Sequence, residues 1–444
     1  MHRTPTVSPR LPWPSLLPAT LLVLAVACGE PPAEAPSLEP AIEEPTLQPS
    51  ARPSEAWRAA WSHRLGGPQD DVGAQLAVDG HSEVSLVWLS SLREDADRES
   101  VEGQRRALTL AKYGVDGTPR WAHEYVRVSV ESPRLGASAL GELFLSGNAS
   151  LHAVDFGLGA ASDGFLVKFS EDGRPLWQQR VGQKVHALAV AEDGRVLLSA
   201  EEWAPEGTLP LVALHDAAGA FLWSRQLDVV EPGTQLHAVA LAPSGQALLA
   251  GHLSGLLSVD GNTFGEPGRP GLILLAFDAE GRLAWGRELR GGEGRITGLS
   301  VGPEGTAVLV GERRDSLSWA GTTLRGAGAF VLGVGPDGSE RWLHPLECGT
   351  FPSPPTVALE REGSVVAACG SVLSGYAPEG TQYEQRTLSA VSCPDGNCLV
   401  SSTSLAALPG QGLVLTGSQR HGGPGTDWDQ EAFLRLLVPG TATP

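Results

Sequence analysis

DGFLVKFSEDGRPLW (163–177), followed by VHALAVAEDGRVLLSA (185–200), is the stretch that decides the fold. Its first half is a short β-type run, a turn at Asp172-Gly173 and a second run carrying Trp177. An Asp-Gly pair between two such runs signals a hairpin, because glycine adopts the left-handed backbone that a tight turn needs. The second half repeats this arrangement without tryptophan and turns at Asp193-Gly194.

Both hairpins recur. A glycine with a tryptophan four positions later appears at Gly117 and Trp121, Gly173 and Trp177, Gly219 and Trp223, Gly281 and Trp285, and Gly338 and Trp342. The other hairpin returns as LHAVALAPSGQALLAG (236–251), ITGLSVGPEGTAVLVG (296–311) and VALEREGSVVAACG (357–370). Less regular copies at 75–88, 135–147 and 405–417 bring it to seven. The tryptophan hairpin reaches seven through two variants. One is read at LSAVSCPDGNCLVSS (388–402), where the tryptophan is lost. The other is shared between the two ends, AFLRLLV (432–438) supplying one strand and WRAAWSHRLGG (57–67) its partner.

Seven repeats of two hairpins with complementary ends predict an all-β, seven-bladed β-propeller over residues 56–439, closed by N- and C-terminal strands. Closure leaves no sheet edge open to aggregation. An open solenoid would carry capping repeats and have no use for complementary ends.

The residues before the repeats read as an address and a spacer. Residues 1–27 have a basic start (His2, Arg3, Arg10) and an apolar run over 16–27, which reads as a lipoprotein signal peptide. Ala25-Val26-Ala27-Cys28-Gly29 resembles a bacterial lipobox, whose cysteine carries the lipid, although Ala25 stands where leucine is usual. Ala-Val-Ala is also an ordinary signal-peptidase site, so a secreted or periplasmic form is the alternative. Residues 28–55 are rich in proline and glutamate and read as a disordered tether.

With Cys28 set aside as the lipid carrier, Cys348, Cys369, Cys393 and Cys398 remain for two disulfides. Cys393 and Cys398 bracket Pro-Asp-Gly-Asn and suit a hairpin staple, which leaves Cys348 for Cys369. Two other pairings stay open, as does a four-cysteine zinc site. The net charge of −19 and the absence of any basic run exclude nucleic acid as a partner.

The repeats resemble those of bacterial β-propeller-repeat proteins, often secreted or lipid-anchored. The match rests on Asp163-Gly164-Phe165-Leu166-Val167-Lys168-Phe169, Asp172-Gly173 and Trp177, and on Trp61, Leu65-Gly66-Gly67 and Asp71. The resemblance implies architecture and no shared reaction.

No serine-hydrolase elbow, zinc-peptidase motif or phosphate-binding loop is present in the sequence. The repeat tryptophans read as packing between blades. Trp88, Trp203, Trp319 and Trp428 are off-pattern and are the candidates for a stacking surface. His186 and His237 occupy one repeat position at the start of the channel-lining strand, with Thr297 and Thr356 assigned to the same position in later blades and Ser404 nearby. These residues are the candidate channel-mouth binding site. No carboxylate partner for the histidines is evident at matched positions. No cofactor is expected, although a divalent cation has room; acidic pairs such as Asp70-Asp71 lack a calcium-loop pattern.

The functional expectation is a monomeric cell-envelope lipoprotein, lipid-anchored at the outer membrane. Its propeller is read as a non-enzymatic binding or scaffold module for a protein or glycan. The alternative is an envelope hydrolase or lyase with its site at the central channel; a quinone-dependent dehydrogenase is a weaker third reading.

Overall fold

The computed structural model describes residues 57–439, apart from 67–70, 92–105, 206, 230, 232, 292, 350–352, 361, 392–397 and 422–428. The leader, Cys28 and the tether lie outside the described residues.

Seven four-stranded antiparallel sheets form seven blades. Blade 1 runs through Asp71–Val78, Val84–Ser91, Arg106–Tyr113 and Pro119–Val128. The inner strands of blades 2 to 6 are Val130–Ala137, Lys184–Val190, Gln235–Leu241, Gly294–Val301 and Thr356–Leu359. Blade 7 takes Cys398–Leu408, Gly412–His421 and Asp429–Val438 from the end of the chain and Arg58–Leu65 from its beginning. The two end strands pair antiparallel, from Arg58 opposite Val438 to Leu65 opposite Ala432. Each inner strand contacts those of the blades on either side, and the inner strand of blade 7 contacts that of blade 1, so the ring is closed.

Side-chain patterning follows position within the blade. Second and third strands have neighbours on both faces, so they are continuous apolar runs: Gly271–Phe277 (GLILLAF) is buried from Leu272 onward. Outer strands meet solvent on one face and alternate, as Phe221–Gln226 does. Between the second and third strands of blades 4 and 5 sit small extra hairpins, Leu257–Val259 with Asn262–Phe264, and Leu317–Trp319 with Thr322–Leu324.

The recurrent tryptophans join consecutive blades. Trp61 of blade 7 lies on the Gly117 turn of blade 1, Trp121 on Gly173, Trp177 on Gly219, Trp223 on Gly281, Trp285 on Gly338 and Trp342 on Gly380. Four of the indoles also donate to a carbonyl in the next blade's turn: Trp61 to Val115, Trp121 to Glu171, Trp285 to Pro336 and Trp342 to Pro378. Each turn glycine therefore has two duties. It takes positive φ, +77° at Gly281, and it leaves room for a ring whose Cδ2 would be 2.6 Å from any Cβ placed there. Gly281→Ala is expected to cost roughly 1–3 kcal/mol in chemical denaturation. Gly261→Ala is the control for backbone strain alone, since its φ is +80° with nothing within 4 Å of a new Cβ. Equal losses in the two variants would show that the tryptophan contact adds nothing.

Blade 6 departs from the sequence reading. Its outer hairpin is Val372–Tyr376 with Gln382–Thr387, turning at Gly380, rather than residues 388–402. The tryptophan position, opposite Gly375, is held by Glu384. The reason lies in the next blade: blade 7 has no turn between its third and outer strands, because the chain's two ends meet there. Instead Trp57 bonds to Glu384, whose carboxyl burial pushes up and this bond pulls back.

Cys348 is bonded to Cys369, the end of the second strand of blade 6. Cys398 is also disulfide-bonded, so the four-cysteine zinc reading is overturned; Cys393 lies outside the described residues. Asp71 is wholly buried and packs against Gly66, where φ is +92° and a Cβ would fall 1.8 Å from its carboxylate. It is thus part of the blade 7–blade 1 junction.

Candidate functional site: the central channel

Inner strands do not run regularly. Their register with the second strand slips between Gly73 and Gln75, Glu131 and Arg134, Val185 and Ala187, Gln235 and Ala238, Ile296 and Gly298, and Ser402 and Ser404. Such bulges re-aim side chains. His186, His237, Thr297 and Thr403 sit within them. Regular pairing then resumes at Gln75, Arg134, Ala187, Ala238, Gly298 and Ser404, and Thr356, opposite Ala368, takes the same row in blade 6. This row, one residue from every blade, lines a central cavity of about 490 Å³.

Of the candidates read from sequence, His237, Thr297 and Thr356 line the cavity. Thr356 does so from the row after the bulge, and Pro355 holds the place matching Thr297. The Thr297 hydroxyl donates to the Pro355 carbonyl at 2.6 Å, tying blade 5 to blade 6. His186 is buried behind His237, and their rings meet edge to face with centroids 5.2 Å apart.

A carboxylate partner exists after all. Glu201, in the second strand of blade 3 (Val196–Ala204), places Oε1 2.9 Å from His186 Nε2 and accepts from Gln235 Nε2 of blade 4, also at 2.9 Å. The contact with His186 holds the Glu201 carboxyl below its ordinary range against the opposing effect of burial. Sequence reasoning sought the partner at the histidines' own repeat position, whereas Glu201 lies across the hairpin, opposite Lys184. A signal was available: the residue after each second-strand apolar run is polar at Asn148, Glu201, His252 and Glu312. At this position Asn148 clamps the Val185 backbone of the next blade, with bonds of 2.9 and 2.6 Å.

Two arginines complete the site. Arg134 Nε donates to the His186 carbonyl at 3.2 Å, and Arg295 Nε to Glu312 Oε2 at 2.9 Å. Burial, and then the neighbouring His186, Arg134 and Arg295, hold His237 down to about 4. Its ordinary value is near 6.5, so between these limits the unfolded chain binds more protons than the folded one. The folded state therefore loses stability as pH falls from 6.5 toward 4, and His237 contributes nothing above that window. Burial also lowers His215, His252 and His344, adding to the trend. His237→Gln is expected to remove on the order of 3 kcal/mol of the acid-induced loss in denaturation curves measured between pH 7 and pH 4. Identical pH profiles for the two proteins would contradict the assignment.

The off-pattern tryptophans do not form one stacking surface. Trp88 and Trp319 are buried, Trp319 donating to the Gly333 carbonyl at 3.0 Å. Trp203 is 65% exposed; Trp428 lies outside the described residues.

With ring and channel established, the chain is defined as a β-propeller. It is similar in structure to Sqt1 from Chaetomium thermophilum, with a TM-score of 0.50 and 11% identity over 87% of this chain and 99% of that one. The WD40 domain of Neurospora crassa Pan2 gives 0.48 and 9% over 86% and 96%, and a protein of unknown function from Bacteroides caccae gives 0.38 and 14% over 58% and 80%. At such identities the likeness shows the fold alone. No protein-family model matches the chain. No curated protein matches it in sequence.

Proposed function

We propose that the chain is a tethered envelope lipoprotein whose propeller is a non-enzymatic binding module, with the central channel as its ligand site and a glycan or protein segment as its ligand. In this reading residues 1–27 direct export, Cys28 carries the lipid, 28–55 space the body from the membrane, and the propeller acts as a monomer. The observation that carries it is the channel row, in which every blade contributes one residue to the wall of a preformed cavity of about 490 Å³. A cavity of that size is in the range of small-ligand sites.

Binding of a panel of short glycans and peptides tests it, comparing the natural chain with Thr356→Trp, a bulky side chain added on the channel wall. Loss of binding in a variant that melts normally supports the reading; unchanged binding places the ligand elsewhere. For the anchor, Cys28→Ser is expected to move the protein from the membrane fraction to the soluble one, and unchanged fractionation would count against the lipid. The Glu201–His186 contact favours a second reading, an envelope hydrolase or lyase. Recovery of the bound ligand chemically altered, and unaltered with His186→Asn, would establish it.

A further inference from the structure

Two guanidinium groups, Arg134 and Arg295, line the channel in a chain of net charge −19. They are not equally matched. Arg295 has Glu312. Arg134 has no carboxylate partner among the described residues: its Nε is taken by the His186 carbonyl, and loss of water is the influence on its basicity. A guanidinium stays charged even so, because its ordinary pKa lies far above neutrality. In the row that lines the cavity, the other six blades supply Gln75, Ala187, Ala238, Gly298, Thr356 and Ser404, all uncharged. Arg134 is therefore the one charge in that row, held in place by a neighbouring blade and lacking a counter-ion.

A partly desolvated cation without a partner is costly unless an anion supplies the missing charge. The guanidinium nitrogens not engaged by the protein form a donor edge suited to two oxygens of a planar carboxylate. His237, beside the same cavity, gains a proton more readily once an anion is present. Thr356 and Ser404 also line the cavity.

We propose that the channel recognises a carboxylate group on a small ligand, up to about the size of an acidic monosaccharide, with Arg134 as its principal contact. This rests on the reading of the channel as the ligand site and names the chemistry it selects. Free organic acids, acidic sugars and peptide C-termini share that group.

The test is calorimetric titration of the full chain with acetate, glucuronate, a dipeptide with a free C-terminus, inorganic phosphate and, as the neutral control, glucose. It is run at pH 5.5 and pH 7.5 on the natural protein, Arg134→Gln and Arg134→Lys. At least one carboxylate is expected to bind more tightly than glucose and phosphate, to bind better at pH 5.5 as His237 takes a proton, and to lose tenfold or more with Arg134→Gln. Arg134→Lys should retain an intermediate affinity. The pattern among acetate, glucuronate and dipeptide identifies the source of the group. Without ligand, Arg134→Gln should melt at or above the natural temperature, since it removes an unmatched charge; a clear fall would make Arg134 a structural residue and overturn the assignment. Glucose binding as tightly as glucuronate, with no effect of Arg134→Gln, would overturn the carboxylate inference while leaving the channel as the ligand site. Phosphate binding more tightly than any carboxylate, or no binding of any anion, would also overturn it. The Thr356→Trp comparison judges the wider reading independently.

Discussion

Lys112→Met is expected to destabilise the propeller by about 3–5 kcal/mol, the cost of leaving a buried charge without its partner. Lys112 Nζ lies 2.8 Å from Asp79 Oδ2 and 3.1 Å from Glu83 Oε2, and the Lys112 and Asp79 side chains are each 1% exposed. Methionine fills the same volume, so the loss reports charge rather than packing. The Asp79 carboxylate also accepts the His81 and Glu83 backbone N–H groups, each at 2.9 Å, so it is fixed in place and cannot turn toward solvent. A double variant, Lys112→Met with Asp79→Asn, is expected to recover part of the loss because it removes the stranded charge. Chemical denaturation of the two singles and the double closes the cycle. A Lys112→Met loss below about 1 kcal/mol would place the pair with ordinary surface ion pairs. Lys168 occupies the same repeat position in blade 2, 2.8 Å from Glu142 and 2.9 Å from the Ala217 carbonyl of blade 3. It is less enclosed, so Lys168→Met should lose less.

Removing the closing strand should have the largest effect of all. Deletion of Arg58–Leu65 strips the outer strand from blade 7, exposes the edge of Asp429–Val438 and takes Trp61 from its seat on Gly117. It also removes Arg64 from its pair with Glu431, a carboxylate that also lies 2.9 Å from His421 Nε2. The combined loss is comparable to the whole net stability of a domain, about 5–15 kcal/mol. The deleted chain is expected to show no cooperative melting transition and to aggregate through its open edge. A circular permutant that links 439 to 57 and opens the chain at the exposed Gly268 turn keeps every strand and should melt close to the natural protein. A deletion that melts like the full chain would contradict closure by the two ends. A permutant that fails to fold would mean that the order of synthesis, and not the ring, holds the blades together.

Much of this architecture was legible in the sequence because its signals are local. An Asp-Gly turn, alternating apolar runs and a tryptophan four residues on are properties of one hairpin, and repetition makes them stand out from noise. The split blade was legible too, since one unmatched strand stood at each end. Blade 6 was misplaced for a physical reason: its tryptophan would have rested on a turn that blade 7 lacks, and Glu384 bonded to Trp57 took its place. A motif that serves a neighbour disappears where the neighbour differs.

At the channel the sequence by itself determined that His186 and His237 are equivalent positions at the start of two inner strands, because that follows from the repeat. The row that lines the cavity begins only after the bulges in which they sit. Tertiary structure decided what those groups meet. Glu201 reaches His186 across a hairpin, Gln235 reaches Glu201 from the next blade, and Arg134 reaches the His186 carbonyl from the blade before. The partners on separate sheets lie up to 52 residues apart. The bulges that turn them toward one another shift the register by a residue or two, and no pattern along a single strand records which way. Spacing along the chain therefore specified the blades, while the charge balance of the channel arose only when the ring closed and brought unrelated blades to within a hydrogen bond of each other.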